Sequence, residues 1–471
     1  MNLAGHARGV PHGPSHIQRM TTPMSPYPSS TRRRRVALSL IPALLAGLST
    51  VRGGPVDIPS SAEPRVEAGK CLSAPGLLGS RGSHQAYFRI GKGDAIHTRD
   101  LLVAIPGFEI ALAPANKNVS LLLWGNLPEL SDSPVRESAV ILHDSKSFDL
   151  DLTLVRGRVV VANTRAKGEA TVWLRVGTGV RFTLLEPGDS IALELYGRWP
   201  SGEPFSRMPK PGEGPLSLWD VYCLKGNVEI KSDTTSWAMA AAPGASYFHG
   251  DSTAGPAEGG PVKRATPSWA DPKTPAPPLA ATIKAVVETY AGKAREKAPD
   301  EVASAMLELA DKEKNPKIAR AVRELAIHAT IAMDEPEKVA ELLGDSKNAE
   351  VRQIAILGLR HWIGAREGRD LKLYDMLQDD LHYSRAEAEA VLQLLHSPFD
   401  RNQAETYETL IAFLKHRKQA IRELAHWHLI RFAPAGREIP FDAASTVAER
   451  TKAAAAWKKL IPDGELPPEK K

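Results

Sequence analysis

Cysteine is almost missing from this chain: its 471 residues hold two, Cys71 and Cys223, 152 positions apart. With no close pair there is no zinc knuckle, no CxxC redox motif and no disulfide framework. In an oxidising compartment the two could still join; the other reading, which a single pair favours, is two separate buried thiols. HExxH, a Walker-type glycine loop and a G-x-S-x-G elbow are missing too, which removes the commonest metallopeptidase, nucleotide and hydrolase sites. The one long apolar run, residues 36–51, falls short of the about 20 residues that a membrane-crossing helix needs.

An excess of charge is also lacking once the start of the chain is set aside. The formal charge is +5, but residues 1–54 hold seven arginines and no lysine, aspartate or glutamate, so the remainder carries −2. Residues 280–471 hold 30 basic and 31 acidic side chains, which is no surface for nucleic acid. A DNA or RNA partner is therefore not expected.

What is present begins with a Pro-, Ser- and Gly-rich leader, residues 1–31, read as disordered. Residues 32–54 follow, with Arg32 to Arg35 running into the apolar stretch 36–51 and then small residues. This is the layout of a secretory signal, either cleaved or kept as a single membrane anchor through 36–51. Both forms send the body out of the cytoplasm.

From 83 to 250 the apolar residues alternate with period two between Gly, Pro, Asn and Asp punctuation. Leu150, Leu152 and Leu154 share one face, with Asp149, Asp151 and Thr153 on the other; Val172, Leu174 and Val176 repeat the pattern, as do Ile191, Leu193 and Leu195. About a dozen short strands predict an all-β domain, an antiparallel sandwich or a rolled sheet. An echo runs through it: Val155-Arg156-Gly157-Arg158-Val159 and Leu224-Lys225-Gly226-Asn227-Val228 both place a glycine between a basic residue and a renewed alternation.

That echo, closed by Ala242-Pro243-Gly244-Ala245, resembles the strand-Gly-strand signature of FecR-type exported β-domains over residues 99–250. The resemblance implies an external domain that binds proteins or a cell-wall component. FecR relatives also carry one membrane crossing and signal inward, which implies the alternative of an anchored signalling regulator.

Residues 251–279 hold seven prolines and three glycines and read as a semi-stiff linker. Beyond it, over 280–462, the period becomes 3.6 and ten helices can be placed, with a short disordered tail at 463–471. A phrase recurs on them: Val322-Arg323-Glu324-Leu325-Ala326, Val351-Arg352-Gln353-Ile354-Ala355 and Ile421-Arg422-Glu423-Leu424-Ala425, with a weaker copy at Ser384-Arg385-Ala386-Glu387-Ala388. The arginine spacings of 29, 33 and 37 predict helix pairs stacked into an α-solenoid. Asp345 ahead of Val351-Arg352, then Ala355, Leu359 and Gly364, looks like the short HEAT-like repeat named after bilin lyases. Some HEAT-like proteins are metal hydroxylases using His-Glu pairs, and this chain has no His-Glu dipeptide.

Few residues invite a chemical role, and each has a plainer one. Asp149 and Asp151 share a strand face and could help hold calcium, against a solvated polar face. His426 and His428, two apart on a helix, point to different faces and would not share a metal. Arg323, Arg352 and Arg422 could line a groove for an acidic partner, but ion pairs between repeats are favoured by the adjacent Glu324 and Glu423. The nine tryptophans are scattered and read as core rather than a sugar-stacking row. No catalytic, cofactor-binding or metal-ligating residue is assigned. The expectation is a non-enzymatic exported scaffold, periplasmic or otherwise extracytoplasmic, that binds protein partners of the cell envelope; an enzyme with a dispersed site is the remaining alternative.

Overall fold

The computed structural model describes residues 64–468 except 74–75, 83–85, 129, 132–134, 177–178, 211, 233–234, 252–254, 258, 272 and 276. The leader, the segment 32–54 and positions 469–471 of the tail lie outside the described residues.

Among the described residues strand structure starts at Glu67, ahead of the alternation. The strands are β1 (Glu67–Cys71), β2 (Leu77–Ser80), β3 (Phe88–Ile90), β4 (Ala95–His97), β5 (Leu101–Ala104), β6 (Glu109–Pro114), β7 (Val119–Trp124) and β8 (Ser138–Leu142). They continue as β9 (Leu150–Asn163), β10 (Ala170–Arg175), β11 (Val180–Leu184), β12 (Ser190–Arg198), β13 (Leu216–Lys225), β14 (Asn227–Lys231), β15 (Ser236–Ala240), β16 (Tyr247–Asp251) and β17 (Gly255–Pro256). All belong to one 17-stranded sheet, antiparallel throughout except where β9 and β10 run parallel.

The sheet divides at β9. Its first half, Leu150 to Arg156, pairs with β8 and β10; its second half, Gly157 to Asn163, pairs with β7 and β12. One half-sheet therefore runs β4-β1-β6-β7-β9-β12-β13-β16-β17 and the other β3-β2-β5-β8-β9-β10-β11-β14-β15. The two echoed glycines mark the passages between them. Gly157, at φ +99°, stands where β9 changes partners, and Gly226, at φ +73°, where β13 hands over to β14. Only glycine adopts such backbone angles without strain. The expected turn at Glu186 to Asp189 also forms, with Gly188 at φ +86° and Asp189 N donating to Glu186 O at 3.1 Å.

Both faces of β9 are covered, because the alternation has polar groups on its second face that find charged lids rather than water. Asp151 and Thr153 are buried, the first under Arg175 and the second against His143. Cys71 and Cys223 are separate buried thiols. They sit on β1 and β13, with β6, β7, β9 and β12 between them, far beyond disulfide reach at about 4.8 Å per strand.

The helical region follows as α1 (Ala280–Glu296), α2 (Pro299–Lys312), α3 (Pro316–Ala332), α4 (Pro336–Asp345), α5 (Ala349–Gly364), α6 (Arg369–Asp379), α7 (Arg385–His396), α8 (Ala404–Phe413), α9 (Gln419–Phe432) and α10 (Val447–Leu460). Their starts follow sequence chemistry. Pro299, Pro316 and Pro336 occupy first-turn positions, Asn348 caps α5 through its side chain, and Ser384 with Glu387 forms a capping box. Asp300, a candidate cap by sequence, lies inside the first turn of α2 instead. Helices α4 and α5 pack as a pair, as do α8 and α9, but α9 also lies directly on α4 and α5. Contacts thus reach past the immediate neighbour, with α5 at the centre.

Strands and helices are built on shared cores. Ile283, Val286, Tyr290, Met306, Leu325 and Ala329 of α1 to α3 join the cluster that fills the sheet. Phe205, from the connection between β12 and β13, belongs to the helical cluster beside Tyr374. Its backbone exchanges two hydrogen bonds with the Gln393 amide, at 3.2 and 2.8 Å. Trp199 donates to Ile363 O at 3.1 Å, and Gly197 of β12 touches Gly364 of α5 so closely that a Cβ on Gly197 would fall 2.0 Å from Gly364 O. The Pro-rich stretch lies along the strands: Val262 bridges to Tyr247, Ser246 Oγ donates to Arg264 O, and Trp269 packs on Trp124 at 5.5 Å.

Candidate binding site

The residues singled out by sequence are held by structural partners. Asp149 accepts from Asn118 Nδ2 at 2.7 Å, Thr171 N at 2.8 Å and Arg165. Asp151 takes both arms of Arg175, at 2.7 and 2.9 Å. These oxygens are committed to arginines, not arranged around a cation. His428 is fully buried, its Nε2 bound to Leu394 O at 2.7 Å, and burial pushes its pKa down to about 3. His426 packs on Phe441 and is pushed down to about 4 by burial. Among the described residues no group of three or more His, Cys, Asp or Glu could hold a metal.

Of the four arginines of the repeated phrase, Arg323 and Arg352 tie helices together, Arg422 holds the loops on either side of α9, and Arg385 pairs within its own helix. Arg323 reaches Glu350 at 2.8 Å and Asp311 at 3.2 Å. Arg352, fully buried, pairs with Glu423 at 2.7 Å and Asp442 at 2.6 Å. Arg422 donates to the backbone oxygens of His416, Arg417 and Ala443, each at 2.7 Å. Arg385 pairs with Glu389 at 3.2 Å.

A line of buried charge joins strands to helices. Glu137, just ahead of β8, accepts from Arg156 Nε of β9 and lies 3.1 Å from His361 Nε2 of α5. Arg156 continues to Ala332 O at the end of α3, at 3.1 Å. Burial alone would raise the Glu137 carboxyl; His361 and Arg156 together override it and hold it well below the usual range. This network fastens the two parts and leaves no side of Glu137 open to a reactant: it is 1 % exposed.

Open space lies elsewhere. Between β2 and β3 on one wall and α1 and α2 on the other is a hollow of about 320 Å³, at the lower end of the range of ligand pockets. Its floor is apolar: Leu77, Ile90, Ile105 and Phe108 face Tyr290 and Val302. Phe108 meets Tyr290 edge-on, with ring centroids 6.0 Å apart. Burial raises the Tyr290 hydroxyl, and nearby Arg89 opposes that. Two exposed arginines, Arg89 from the strand wall and Arg295 from α1, line the same hollow, and neither forms an ion pair with a described residue. Lys293 of α1 and Lys297 just past its end line a second surface hollow of about 530 Å³, together with Asp300, Glu301 and Glu308. The first hollow joins residues more than 200 positions apart, and no motif in the sequence announces it.

No protein-family model, curated protein or solved structure matches this chain. Among the described residues, no helix is long and apolar enough to cross a membrane.

Proposed function

We propose that the chain is a non-enzymatic exported interaction protein, a FecR-like β-region joined to HEAT-like helix pairs, that holds a protein partner of the cell envelope. The observation that carries this is the hollow between β2, β3, α1 and α2: an apolar floor with cationic walls from Arg89 and Arg295. Its complement is a segment that inserts one apolar side chain and flanks it with acidic residues. A buried anchor supplies most of the binding energy at such contacts, and rim charges supply orientation and rate. Export is supported by the arginine-led apolar segment at 32–54. The HEAT-like reading is supported by the packed pairs and by arginines of the repeated phrase reaching acids on other helices.

The test compares proteins captured from envelope fractions by the wild type and by Ala294→Phe, which fills the hollow, and by Arg89→Glu/Arg295→Glu. We expect one partner to be retained by the wild type and lost by at least about tenfold in both variants, with unchanged circular dichroism. Equal retention by all three would remove the hollow from the function.

A further inference from the structure

A second site lies at the far end of the helical region, where α5, α7 and α9 finish close together. Arg360 of α5 and Arg431 of α9 share one indole: their Cζ atoms stand 5.1 and 3.6 Å from the ring centroid of Trp427. The two guanidinium carbons are therefore at most 8.7 Å apart, the sum of those distances. Arg401 lies over Phe432 one turn away, at 4.7 Å, and Arg437 donates to Ile430 O at 3.5 Å.

Two like charges on one ring call for counter-charge, and the fold provides little. The pKa of Arg360 is pushed down to about 10 by burial alone, with no carboxylate acting on it. Arg431 is pushed down to about 10 as well, by burial first and then by the charges of Arg360 and Arg437. Helix ends offer partial compensation. Arg360 donates to Leu395 O at the end of α7, and Arg431 to Trp427 O near the end of α9 at 3.1 Å. A helix C-terminus is equivalent to about −0.5 charge, and only Leu395 O lies in a last turn, so this offsets part of one of the two central charges and leaves Arg401 and Arg437 uncounted. Asp400 and Glu438 adjoin those outer arginines in sequence, and neither forms an ion pair with them among the described residues. The same indole also carries a buried N–H with no acceptor among the described residues, although Trp427 is 9 % exposed.

We infer that Arg360, Arg431 and the Trp427 face form a site for a phosphate group, with Arg437 at its rim. Guanidinium forks match phosphate oxygens with parallel N–H···O bonds of about 2.8 Å, and one tetrahedral anion placed between two forks relieves their mutual repulsion. Stacking on the indole holds the Arg431 fork in place before the anion arrives, which reduces the ordering cost of binding. A carboxylate would satisfy one fork; a phosphate has enough oxygens for two. The site is independent of the hollow at α1 and α2, and it stands or falls separately from the proposed function.

The test is calorimetric titration of the full chain with inorganic phosphate and with glycerol 3-phosphate, against sodium chloride at matched ionic strength. These arms separate free phosphate from a phosphate carried on an organic group. We expect binding in at least one phosphate arm, no response to chloride, and about tenfold weaker binding in Arg431→Gln and in Arg360→Lys. Arg431 is exposed, so its replacement leaves the fold intact. A second readout follows arginine modification by phenylglyoxal with peptide mass mapping: phosphate should slow the labelling of Arg431 and leave that of the distant Arg89 unchanged. Phosphate binding unaffected by both substitutions, or no binding beyond the chloride control, would overturn the assignment.

Discussion

His428 is fully buried in α9, between Phe399 and Phe432, with its Nε2 on Leu394 O. It shares the buried face of α9 with Ile421, Leu424 and Ala425, and its surroundings make it a titrating liability. Burial, with the charges of Arg360, Arg431 and Arg401 against it, holds its pKa at about 3, below the ordinary value of 6.5. The folded protein therefore binds no proton there while the unfolded chain does. The stability His428 contributes is complete above pH 6.5 and is lost as pH falls from about 6.5 toward 3. Between pH 6.5 and 5 that amounts to about 2 kcal/mol, at ~1.36 kcal/mol per unit. Urea unfolding of His428→Gln, whose amide can still donate to Leu394 O, should show a shallower acid dependence over this interval by about that amount; equal slopes would refute the assignment. Arg352 shows the limit of reading residues from sequence. Its neighbours there, Val351 and Gln353, say nothing of Glu423 and Asp442, its partners 71 and 90 positions away.

Among the elements, the helices were the more legible, because each carries a full stripe and a start signal within its own sequence. The strands were legible where alternation lasts five residues or more, as in β6, β7 and β10. Strands β1, β2, β4 and β16 were not. They are three to five residues long, and Leu77–Ser80 is buried at every position, so no alternation exists to be seen. The candidate hollow escaped for the same reason, since β2 forms part of its wall. The two halves of β9, which pair with different neighbours, are one strand that passes through Gly157 without a break. That glycine is the element's weak point. A Cβ there would fall 2.4 Å from Glu137 O and from Ser138 Cα, in a backbone conformation that L side chains avoid. Gly157→Ala should destabilise the protein by about 3 kcal/mol or more. Gly168→Ala makes the control, with φ +81° but nothing within 4 Å of its Cβ, and should cost about 1 kcal/mol. Matching losses in thermal or urea unfolding would show that strand continuity at Gly157 is not what the fold depends on.

At the scale of the molecule, the strands and helices do not stand apart. Residues of α1 to α3 complete the core of the sheet, Phe205 enters the helical core, and buried Glu137 and Arg156 meet partly buried His361 across the join. Breaking such a buried pair costs about 3–5 kcal/mol, so neither part is at its stability optimum alone. We therefore expect a single unfolding transition for residues 64–468, with far-ultraviolet circular dichroism and tryptophan fluorescence coinciding. Two resolved transitions, one for strands and one for helices, would show that the shared core does not couple them. Sequence could not have displayed this coupling, because periodicity reports the face an element buries and not the element it is buried against.

The double pairing of β9 also sets an order of assembly. As the chain is made from its N-terminus, β7 and β8 appear first, each with an edge whose final partner is the same later strand. Until residues 150–163 have followed, both half-sheets end in unpaired backbone, the kind of edge that other chains can extend. One fourteen-residue segment then closes both edges and at the same time opens the edges that β10 and β12 will occupy. The vulnerable interval in the life of this protein is thus placed early, before any of its helices exists.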